Sequence, residues 1–307
     1  MQHKETLLIA HMTQKRLFTS QLSFLLLLFV FAGSCHKNHV SVDGPPFESF
    51  PFPKRVTPGV IDEASGIADS KANPGYIWVE QDSGNPNDIF LLSDSGQVFK
   101  KINIRLAINR DWEDIALAKG PVAGTNYLYI ADIGDNNQVY GQYRIYRFPE
   151  PLASTDTVWS YDSIRFQYAD GPHDAEAVLI DDYSNIYIIT KQSTVSTIYR
   201  MGYPQSLTTL NTAVKVGELS FNDVVSAAIS QAGDELLVKT YTSVYYWKKA
   251  ANETIEMALH KQPALLNYQQ EPQGEAICFK NNKAGFYTLG ERPSFISSVN
   301  LNYYKRK

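Results

Sequence analysis

Short apolar runs separated by Gly, Asn, Asp and Pro make up most of the chain from residue 54 onward. Many of these runs are rich in aromatic and β-branched residues, as in Tyr127–Ala131 and Ile186–Thr190, and these residue types favour strands. No window of about 12 residues shows the apolar period of an amphipathic helix. The pattern therefore predicts an all-β fold.

A related opening precedes one apolar run in each stretch of roughly fifty residues. Its fullest copy is Asp-Trp-Glu-Asp-Ile-Ala at 111–116, and versions of it begin near residues 63, 174, 226 and 273. Aligned on residues 65, 113, 176, 226 and 275, the copies are 48, 63, 50 and 49 residues apart. A repeat of this length is typical of propellers and solenoids, and the strand-like runs within each period match a propeller blade. We predict a β-propeller of four-stranded antiparallel blades.

Five openings favour five blades. Six blades stay an alternative, because the long period from 113 to 176 or the segment 249–270 has room for a degenerate blade. The last period, 275–307, is too short for four strands. A strand from near Lys54–Val60 would complete it and remove the open edges. We therefore expect an N-terminal strand to close the ring.

The N-terminus has the features of a targeting segment. Lys15 and Arg16 precede the apolar run 24–32, which is too short to span a membrane. The sequence Phe-Ala-Gly-Ser-Cys at 31–35 resembles a bacterial lipobox. We predict a lipoprotein signal peptide over 1–34, a Pro-rich tether over 35–53 that starts at lipidated Cys35, and a single propeller domain over 54–307. An ordinary signal peptide that ends near a Cys is the alternative.

Lipidation at Cys35 would anchor the protein in a bacterial cell envelope, where it would face the periplasm or the cell exterior. Removal of residues 1–34 takes away three basic residues and one acidic residue, so the formal charge moves from −4 to −6. An acidic domain disfavours nucleic acid as a partner. We expect a monomer, with Cys278 as a buried small apolar residue.

Acidic residues should converge at one mouth of the propeller. In an antiparallel blade, the start of the first strand and the exit of the second lie at the same end, and the first strand is nearest the axis. The openings contribute Glu63, Asp111, Glu113, Asp114, Asp174, Glu176 and Glu275, and the exits contribute Glu80, Asp82, Asp132, Asp135, Lys191, Lys239 and Glu291. So many carboxylates would repel one another unless a cation or the lysines neutralised them.

Two of the exits share a pattern, Asp-x-Gly-Asn/Asp-x-Asn, at 82–87 and 132–137. Carboxylate and amide oxygens are the ligands that Ca²⁺ prefers. Five acidic residues are candidate metal ligands: Asp82, Asp111, Asp132, Asp135 and Asp174. The alternative is turn chemistry, in which the Asp or Asn side chain caps its own backbone while the Gly takes a positive φ.

Some mouth residues are candidates for acid–base or electrophilic chemistry. These candidate catalytic residues are Glu113, Glu176, Glu275, Lys191 and His173. Alternatively, the three glutamates accept backbone N–H groups of the neighbouring blade and lock the ring, and His173 is a turn residue. The sequence contains no nucleophile elbow, HExxH, P-loop or Rossmann fingerprint, which disfavours serine hydrolases and nucleotide-dependent enzymes.

The runs Asn-Arg-Asp-Trp-Glu-Asp-Ile-Ala at 109–116, Leu-Tyr-Ile-Ala-Asp-Ile-Gly-Asp-Asn at 128–136, Asp-Ala-Glu-Ala at 174–177 and Ile-Ile-Thr-Lys at 188–191 carry a family resemblance. The chain resembles a group of secreted or lipid-anchored bacterial β-propeller proteins. It is more distantly similar to the SdiA-regulated and phytase-like esterase propellers. The resemblance covers most of residues 60–295 and implies the propeller fold and a role for these motifs. It implies no particular reaction, because a shared fold is not a shared function.

Three functional hypotheses remain. The first is a membrane-anchored propeller whose acidic mouth binds a divalent cation, a small ligand, or both. The second is a Ca²⁺-dependent hydrolase of phosphoesters, lactones or glycosides. The third is a non-catalytic propeller that binds a glycan or protein, or that acts as a scaffold, through exposed aromatics. The tryptophans that could serve this third role are Trp78, Trp112, Trp159 and Trp247, although strand aromatics more often pack between blades.

Overall fold

The structure is a computed structural model that describes residues 46–307. The predicted signal peptide, Cys35 and most of the predicted tether lie outside the described residues. Within the described part, no helix combines the length and apolar character that a membrane crossing requires.

The described residues form 21 strands and one short helix. Strand β1 (Phe52–Arg55) comes first. Blade 1 contains β2 (Ala64–Asp69), β3 (Tyr76–Gln81), β4 (Asp88–Ser93) and β5 (Val98–Ile104). Blade 2 contains β6 (Trp112–Lys119), β7 (Asn126–Asp132), β8 (Tyr143–Pro149) and, after the short β9 (Thr157–Val158), β10 (Asp162–Tyr168). Blade 3 contains β11 (Ala175–Ile180), β12 (Ile186–Thr190), β13 (Thr197–Met201) and β14 (Asn211–Glu218).

Blade 4 contains β15 (Val224–Ile229), β16 (Glu235–Thr240), β17 (Val244–Lys248), the helix α1 (Ile255–Leu259) and β18 (Ala264–Leu265). Blade 5 contains β19 (Gly274–Phe279), β20 (Gly285–Gly290) and β21 (Asn300–Lys305). Its fourth strand is β1, which pairs antiparallel with β21 from Phe52 opposite Tyr303 to Arg55 opposite Asn300. The predicted five blades and the closing N-terminal strand are confirmed.

Neither segment with room for a sixth blade forms one. In the long second period, β9 leaves blade 2 and adds to the outer edge of blade 1, parallel to β5. The segment 249–270 holds α1 and β18, which complete blade 4. The outer strands of blades 2 and 3 also pair, β10 parallel to β14, so these two blades share one sheet.

Every inner strand carries a β-bulge where it leaves the mouth. The residue added by each bulge is Ser65, Glu113, Glu176, Val225 and Glu275, in blade order. In blade 4 the equivalent residue is therefore Val225, and the sequence alignment on Ser226 was wrong by one position. The error arose because Ser226 matches Ser65 in residue type, whereas an extra residue in a strand shifts the facing of its neighbours.

Apolar side chains between adjacent blades form the core. Trp78, Trp112 and Trp247 are buried there, whereas Trp159 is 71% exposed. Below the bulges, the axial channel is lined mainly by apolar residues of the five inner strands, such as Ile67, and its cavity volume is about 40 Å³. The polar groups of the inner strands are therefore concentrated at the mouth.

Candidate functional site

Two sets of residues at repeated positions line the mouth: the bulge residues of the inner strands and the first residues after the second strands. In four blades a backbone N–H just past the second strand donates to a carbonyl two residues before the bulge, as in Asp82 N to Glu63 O (2.9 Å) and Lys191 N to Asp174 O (3.0 Å). These bonds fix the exits of the second strands beside the bulge residues. The first residues after the second strands are Asp82, Ile133, Lys191, Tyr241 and Glu291.

Three carboxylates from blades 1 and 2 come together in this mouth. One carboxylate oxygen of each of Asp82, Asp111 and Glu113 lies within 4.8 Å of the others. Asp82 follows β3, whereas Asp111 and Glu113 flank the start of β6. We call this group the carboxylate triad. It unites two predicted metal ligands with one predicted catalytic residue.

Gly134 makes room for the triad. A Cβ at this position would overlap Glu113 Oε1 and Asp111 Oδ2. The backbone φ of Gly134 is not in the left-handed region, whereas that of Gly84 is +81°. The expectation that the shared glycine takes a positive φ is therefore right for the first motif and wrong for the second, where space requires the glycine.

A fourth carboxyl group, that of Glu80, lies below the mouth between blades 1 and 2. It is fully buried, and neither oxygen has a hydrogen-bond partner in the described chain. The Gly66 N–H acts on this carboxyl to lower its pKa, and a Cβ on Gly66 would come within 2.6 Å of Glu80 Oε1. Burial, together with the charges of Asp114 and Asp82, raises the pKa of Glu80 well above its usual range. Sequence reasoning placed Glu80 at the mouth but did not select it as a site residue.

Electrostatic crowding is strongest around the triad. Burial and then the charge of Asp111 raise the pKa of Asp82 to about 6. Burial and then the charge of Glu176 raise the pKa of Glu113 well above its usual range. Burial and then the charge of Glu275 raise the pKa of Glu291 to about 8. Each shift shows that the mouth disfavours further negative charge, so a bound cation would relieve it.

The opposite side of the mouth is neutralised internally. Lys191 Nζ donates to Glu176 Oε1 and to the Tyr241 hydroxyl at 2.9 Å. Tyr241 in turn donates to Glu275 Oε1 at 2.8 Å, and Ser65 Oγ donates to Glu275 Oε2 at 3.4 Å. Burial works against the Lys191 ammonium, but Glu176 outweighs it and the Lys191 pKa is raised. This network joins three predicted catalytic residues through Tyr241, which sequence reasoning missed.

The remaining three predicted metal ligands bind backbone groups. Asp132 Oδ1 accepts the Asp111 N–H at 2.9 Å, and Asp174 Oδ1 accepts the Asp135 N–H at 2.8 Å. Asp135 accepts the N–H groups of residues 139 and 140 at 2.9 and 2.8 Å and the Tyr143 hydroxyl at 2.8 Å. Asp135 therefore caps its own loop, as in the turn alternative, whereas Asp132 and Asp174 bind backbone groups of other loops.

Asp114, the residue after the bulge, accepts hydrogen bonds that join blade 2 to blades 3 and 4. Its Oδ2 accepts Val178 N from blade 3 at 2.9 Å, and its Oδ1 accepts Ser226 Oγ from blade 4 at 3.1 Å. Asp114 is fully buried. Sequence reasoning assigned such a lock to Glu113, Glu176 and Glu275. Asp114 instead takes this role, because the bulge turns Glu113 into the mouth and the next residue towards the neighbouring blades.

His173 forms a separate cluster with aromatic residues. Its Nε2 lies 2.7 Å from the Tyr199 hydroxyl and 3.0 Å from Asp170 Oδ1, and its Nδ1 lies 3.0 Å from Gln192 Nε2. Its ring also contacts the ring of Tyr168 edge to face. Both ring nitrogens are thus engaged by groups outside the triad, an arrangement that fits the structural alternative for this residue.

Comparison with known proteins supports the fold. No protein-family model matches the sequence, and no curated protein matches it. Among solved structures, a proposed gluconolactonase matches with a TM-score of 0.50 at 11% identity, over 85% of this chain and 94% of that one. A luciferin-regenerating enzyme matches with a TM-score of 0.48 at 8% identity, over 83% and 95%. Virginiamycin B lyase from Staphylococcus aureus matches with a TM-score of 0.40 at 13% identity, over 78% and 66%. At these identities the likeness extends to the propeller fold alone.

Proposed function

We propose that this protein is a membrane-anchored, extracytoplasmic propeller whose mouth binds a divalent cation, with Ca²⁺ as the best-suited ion. The observation that carries the proposal is the approach of Asp82, Asp111 and Glu113 oxygens to within 4.8 Å of one another. Ca²⁺ binds oxygens at about 2.3–2.6 Å, so two ligands on opposite sides of one ion lie about 5 Å apart. The triad has the dimensions of such a site.

The unpartnered Glu80 carboxyl is an independent argument for a cation. A fully buried carboxyl without a hydrogen bond is costly to maintain. It interacts electrostatically with Asp82, so a cation held by the triad would lower the cost of this acid as well. A cation would thus account for both the carboxylate triad and the buried Glu80 carboxyl of blades 1 and 2.

The predicted location agrees with a weak calcium site. Extracellular calcium modules bind with Kd values of about 10⁻⁴ to 10⁻³ M. The triad supplies three carboxylates from two loops, and water would complete the six to eight ligands that Ca²⁺ takes. We therefore expect an affinity in this range.

Metal-assisted hydrolysis is the second candidate function, favoured by the network of Lys191 with Tyr241. The charge of Glu176 raises the pKa of Glu113, and Glu176 is bound by Lys191, so the triad and the ammonium face the same mouth. A divalent ion polarises a substrate oxygen or activates water. Lys191 and Tyr241 would then contact a developing negative charge. The proposed gluconolactonase shares the fold, and lactones therefore belong among the substrates to screen, alongside phosphoesters and glycosides.

The first test is a thermal melt of the purified protein in EDTA and with Ca²⁺ or Mg²⁺ added. At a Ca²⁺ concentration about 100 times the Kd, binding stabilises by about 2.7 kcal/mol, which raises the Tm by roughly 5–10 °C for a chain of this size. Asp111→Asn should abolish the shift. Asp223→Asn is the matched control, because Asp223 occupies the same position before the bulge in blade 4 and has a φ of +56°, which Asn tolerates.

A second variant tests the geometry without removing an acid. Gly134→Ala keeps all three carboxylates but adds a methyl group where Asp111 and Glu113 approach. We expect it to weaken Ca²⁺ binding at least tenfold by titration calorimetry. The proposal fails if no divalent ion shifts the Tm of the unmodified protein, or if the shift persists in both Asp111→Asn and Gly134→Ala.

A further inference from the structure

A group of exposed and half-buried arginines with exposed apolar side chains lies beside the mouth on blades 1 and 2. We call it the arginine rim and define it as Arg105, Leu106, Ile108, Arg110, Arg144 and Trp159. Leu106, Ile108 and Trp159 are 80%, 60% and 71% exposed. These residues come from the loop between β5 and β6, from β8 and from the residue after β9. Monomers rarely expose large apolar residues side by side without a functional reason.

Contacts beneath the rim hold it in place. Arg105 N donates to Val158 O at 3.0 Å, and the Arg105 guanidinium lies 4.7 Å from the centre of the Trp159 ring. The buried Tyr146 hydroxyl bonds to the Ile108 backbone and accepts Arg144 Nη1, all at 3.0 Å. These contacts hold Arg105 against Trp159 and Arg144 beside Ile108, and side chains held in place before binding lower its entropic cost.

The three rim arginines have no acidic partner at ion-pair distance. Elsewhere in the described chain, four arginines pair with carboxylates, at residues 147, 200, 292 and 306, whereas Arg55 and Arg165 donate to a serine hydroxyl and a backbone carbonyl. Arg105, Arg110 and Arg144 form no such pair among the described residues. Arg110 is instead bound by backbone carbonyls and lies over the Tyr140 ring. In a chain with more acidic than basic residues, three such arginines beside exposed apolar groups suit an external anion.

The position of the rim favours a protein over the anchoring membrane as its occupant. The loop from Arg105 to Asp111 runs along the mouth, where Ile133 N and Gly134 N donate to Asp111 O. The described chain begins at the other end of the ring, where Pro46 O accepts Lys307 N and Arg306 N donates to Ala284 O, just before β20 begins. The described chain thus enters the propeller at the end opposite the rim.

We propose that the arginine rim is a docking surface for a protein segment that carries carboxylates beside apolar side chains. Arg, Trp and Tyr are the residue types enriched at the energetic centres of protein interfaces. The guanidinium groups would pair with the partner's carboxylates, while Leu106, Ile108 and Trp159 bury its apolar side chains. This interaction is separate from cation binding by the triad.

The test begins with selection of peptides from a random 12-residue library on the purified protein. Affinity is then measured by fluorescence anisotropy of labelled peptides, and tryptophan emission reports contact with the rim, since Trp159 is the one exposed tryptophan of the four in the chain. We expect the selected peptides to combine Asp or Glu with apolar residues and to change the Trp159 emission. Arg105→Glu with Arg144→Glu should weaken their binding at least tenfold, as should Trp159→Ala.

The matched control is Lys54→Glu with Lys248→Glu, an equal charge change at exposed positions of blades 5 and 4. It should leave peptide affinity unchanged within about twofold. Recovery of no peptides, of basic or uncharged peptides, or of peptides whose affinity survives the rim variants would overturn the proposal. Rim-dependent binding to vesicles that contain phosphatidylglycerol, in place of peptides, would assign the surface to lipid and overturn it as well.

Discussion

The two sides of the mouth are built on the same bulged strands but have opposite electrostatics. On blades 1 and 2, Asp82, Asp111 and Glu113 approach one another with no cationic side chain at ion-pair distance in the described chain. On blades 3 to 5, Glu176 is paired with Lys191, and Glu275 accepts the Tyr241 hydroxyl. The residue after the second strand makes the difference. The repeat thus fixes where a side chain points, and the residue type at one position per blade sets the chemistry.

The same contrast between a satisfied and an unsatisfied charged residue recurs inside the second strands, below the mouth. Glu80 in blade 1 and Lys239 in blade 4 occupy equivalent sites, opposite Gly66 and Ser226. Lys239 Nζ donates to Thr240 O at 3.2 Å and to Gly274 O, and burial lowers the Lys239 pKa to about 8. Glu80 has no hydrogen-bond partner. The blade 4 position is therefore satisfied by the protein itself, whereas the blade 1 carboxyl has no hydrogen-bond partner among the described residues.

Breaking the link between the two sides should have the largest effect on stability. Asp114→Ala removes the acceptor of Val178 N and of Ser226 Oγ, which belong to blades 3 and 4. Each buried group left unsatisfied costs about 1–3 kcal/mol, so we expect a loss of about 3–5 kcal/mol in urea unfolding. Asp114→Asn retains one acceptor oxygen and should lose less. Equal losses in the two variants would show that the hydrogen bonds are not the cause.

Removing the internal cation should have the next largest effect. Lys191→Met leaves Glu176 buried without its partner, and breaking a buried pair costs about 3–5 kcal/mol. Because Glu176 can take up a proton, we expect a smaller loss of about 2–4 kcal/mol at pH 8. The double variant Lys191→Met with Glu176→Gln is the matched control and should recover at least half of the loss. Without such recovery, the packing of the lysine chain would be the explanation.

These predictions depend on features that the sequence revealed only in part. The repeated openings and the short last period were sufficient for five blades and for closure by β1. Adjacent acids such as Glu113 and Asp114 could not be separated, because a bulge changes facing without changing the residue pattern. Tyr241 could have been found, since it follows the second strand of blade 4 as Lys191 does in blade 3. The unpartnered state of Glu80 depends on contacts between blades, which no local pattern encodes.

Glu291, which follows the second strand of blade 5 and interacts with Glu275 and with Asp82 of the triad, should make the cation-free protein less stable as pH rises. The pKa of Glu291 is raised to about 8 in the folded state, compared with about 4.3 in an unfolded chain. The folded state therefore binds more protons than the unfolded state between these values. The stabilisation is complete below about pH 4 and is lost as pH rises through about 8.

We therefore expect a lower Tm at pH 8.5 than at pH 6 in EDTA, by a few degrees at most for a group that is partly exposed. Glu291→Gln should flatten this dependence, and Glu48→Gln, a change at an exposed acid, should not. Added Ca²⁺ should oppose the decrease, because deprotonated carboxylates bind the ion more strongly. A Tm that rises steadily from pH 6 to pH 8.5 in EDTA would contradict the raised pKa of Glu291 in the folded protein.

The smallest predicted change in stability is a gain, whereas the other predicted changes are losses. Glu113→Gln removes one acid from the triad while keeping the size of the side chain, and burial and Glu176 already raise the pKa of Glu113. Without metal we expect a gain in stability of up to about 1 kcal/mol, because a repulsive charge is removed and no ion pair is broken. With Ca²⁺ the order should reverse, since the variant lacks a ligand and the unmodified protein is stabilised by the ion.

Melting both proteins in EDTA and in Ca²⁺ gives four Tm values. If the variant has the higher Tm in EDTA and the lower Tm in Ca²⁺, the triad is a cation site and not a cluster of acids that only links the blades. If Glu113→Gln is destabilising in both conditions, then Glu113 supports the ring as Asp114 does, and the two sides of the mouth differ less than their charges suggest.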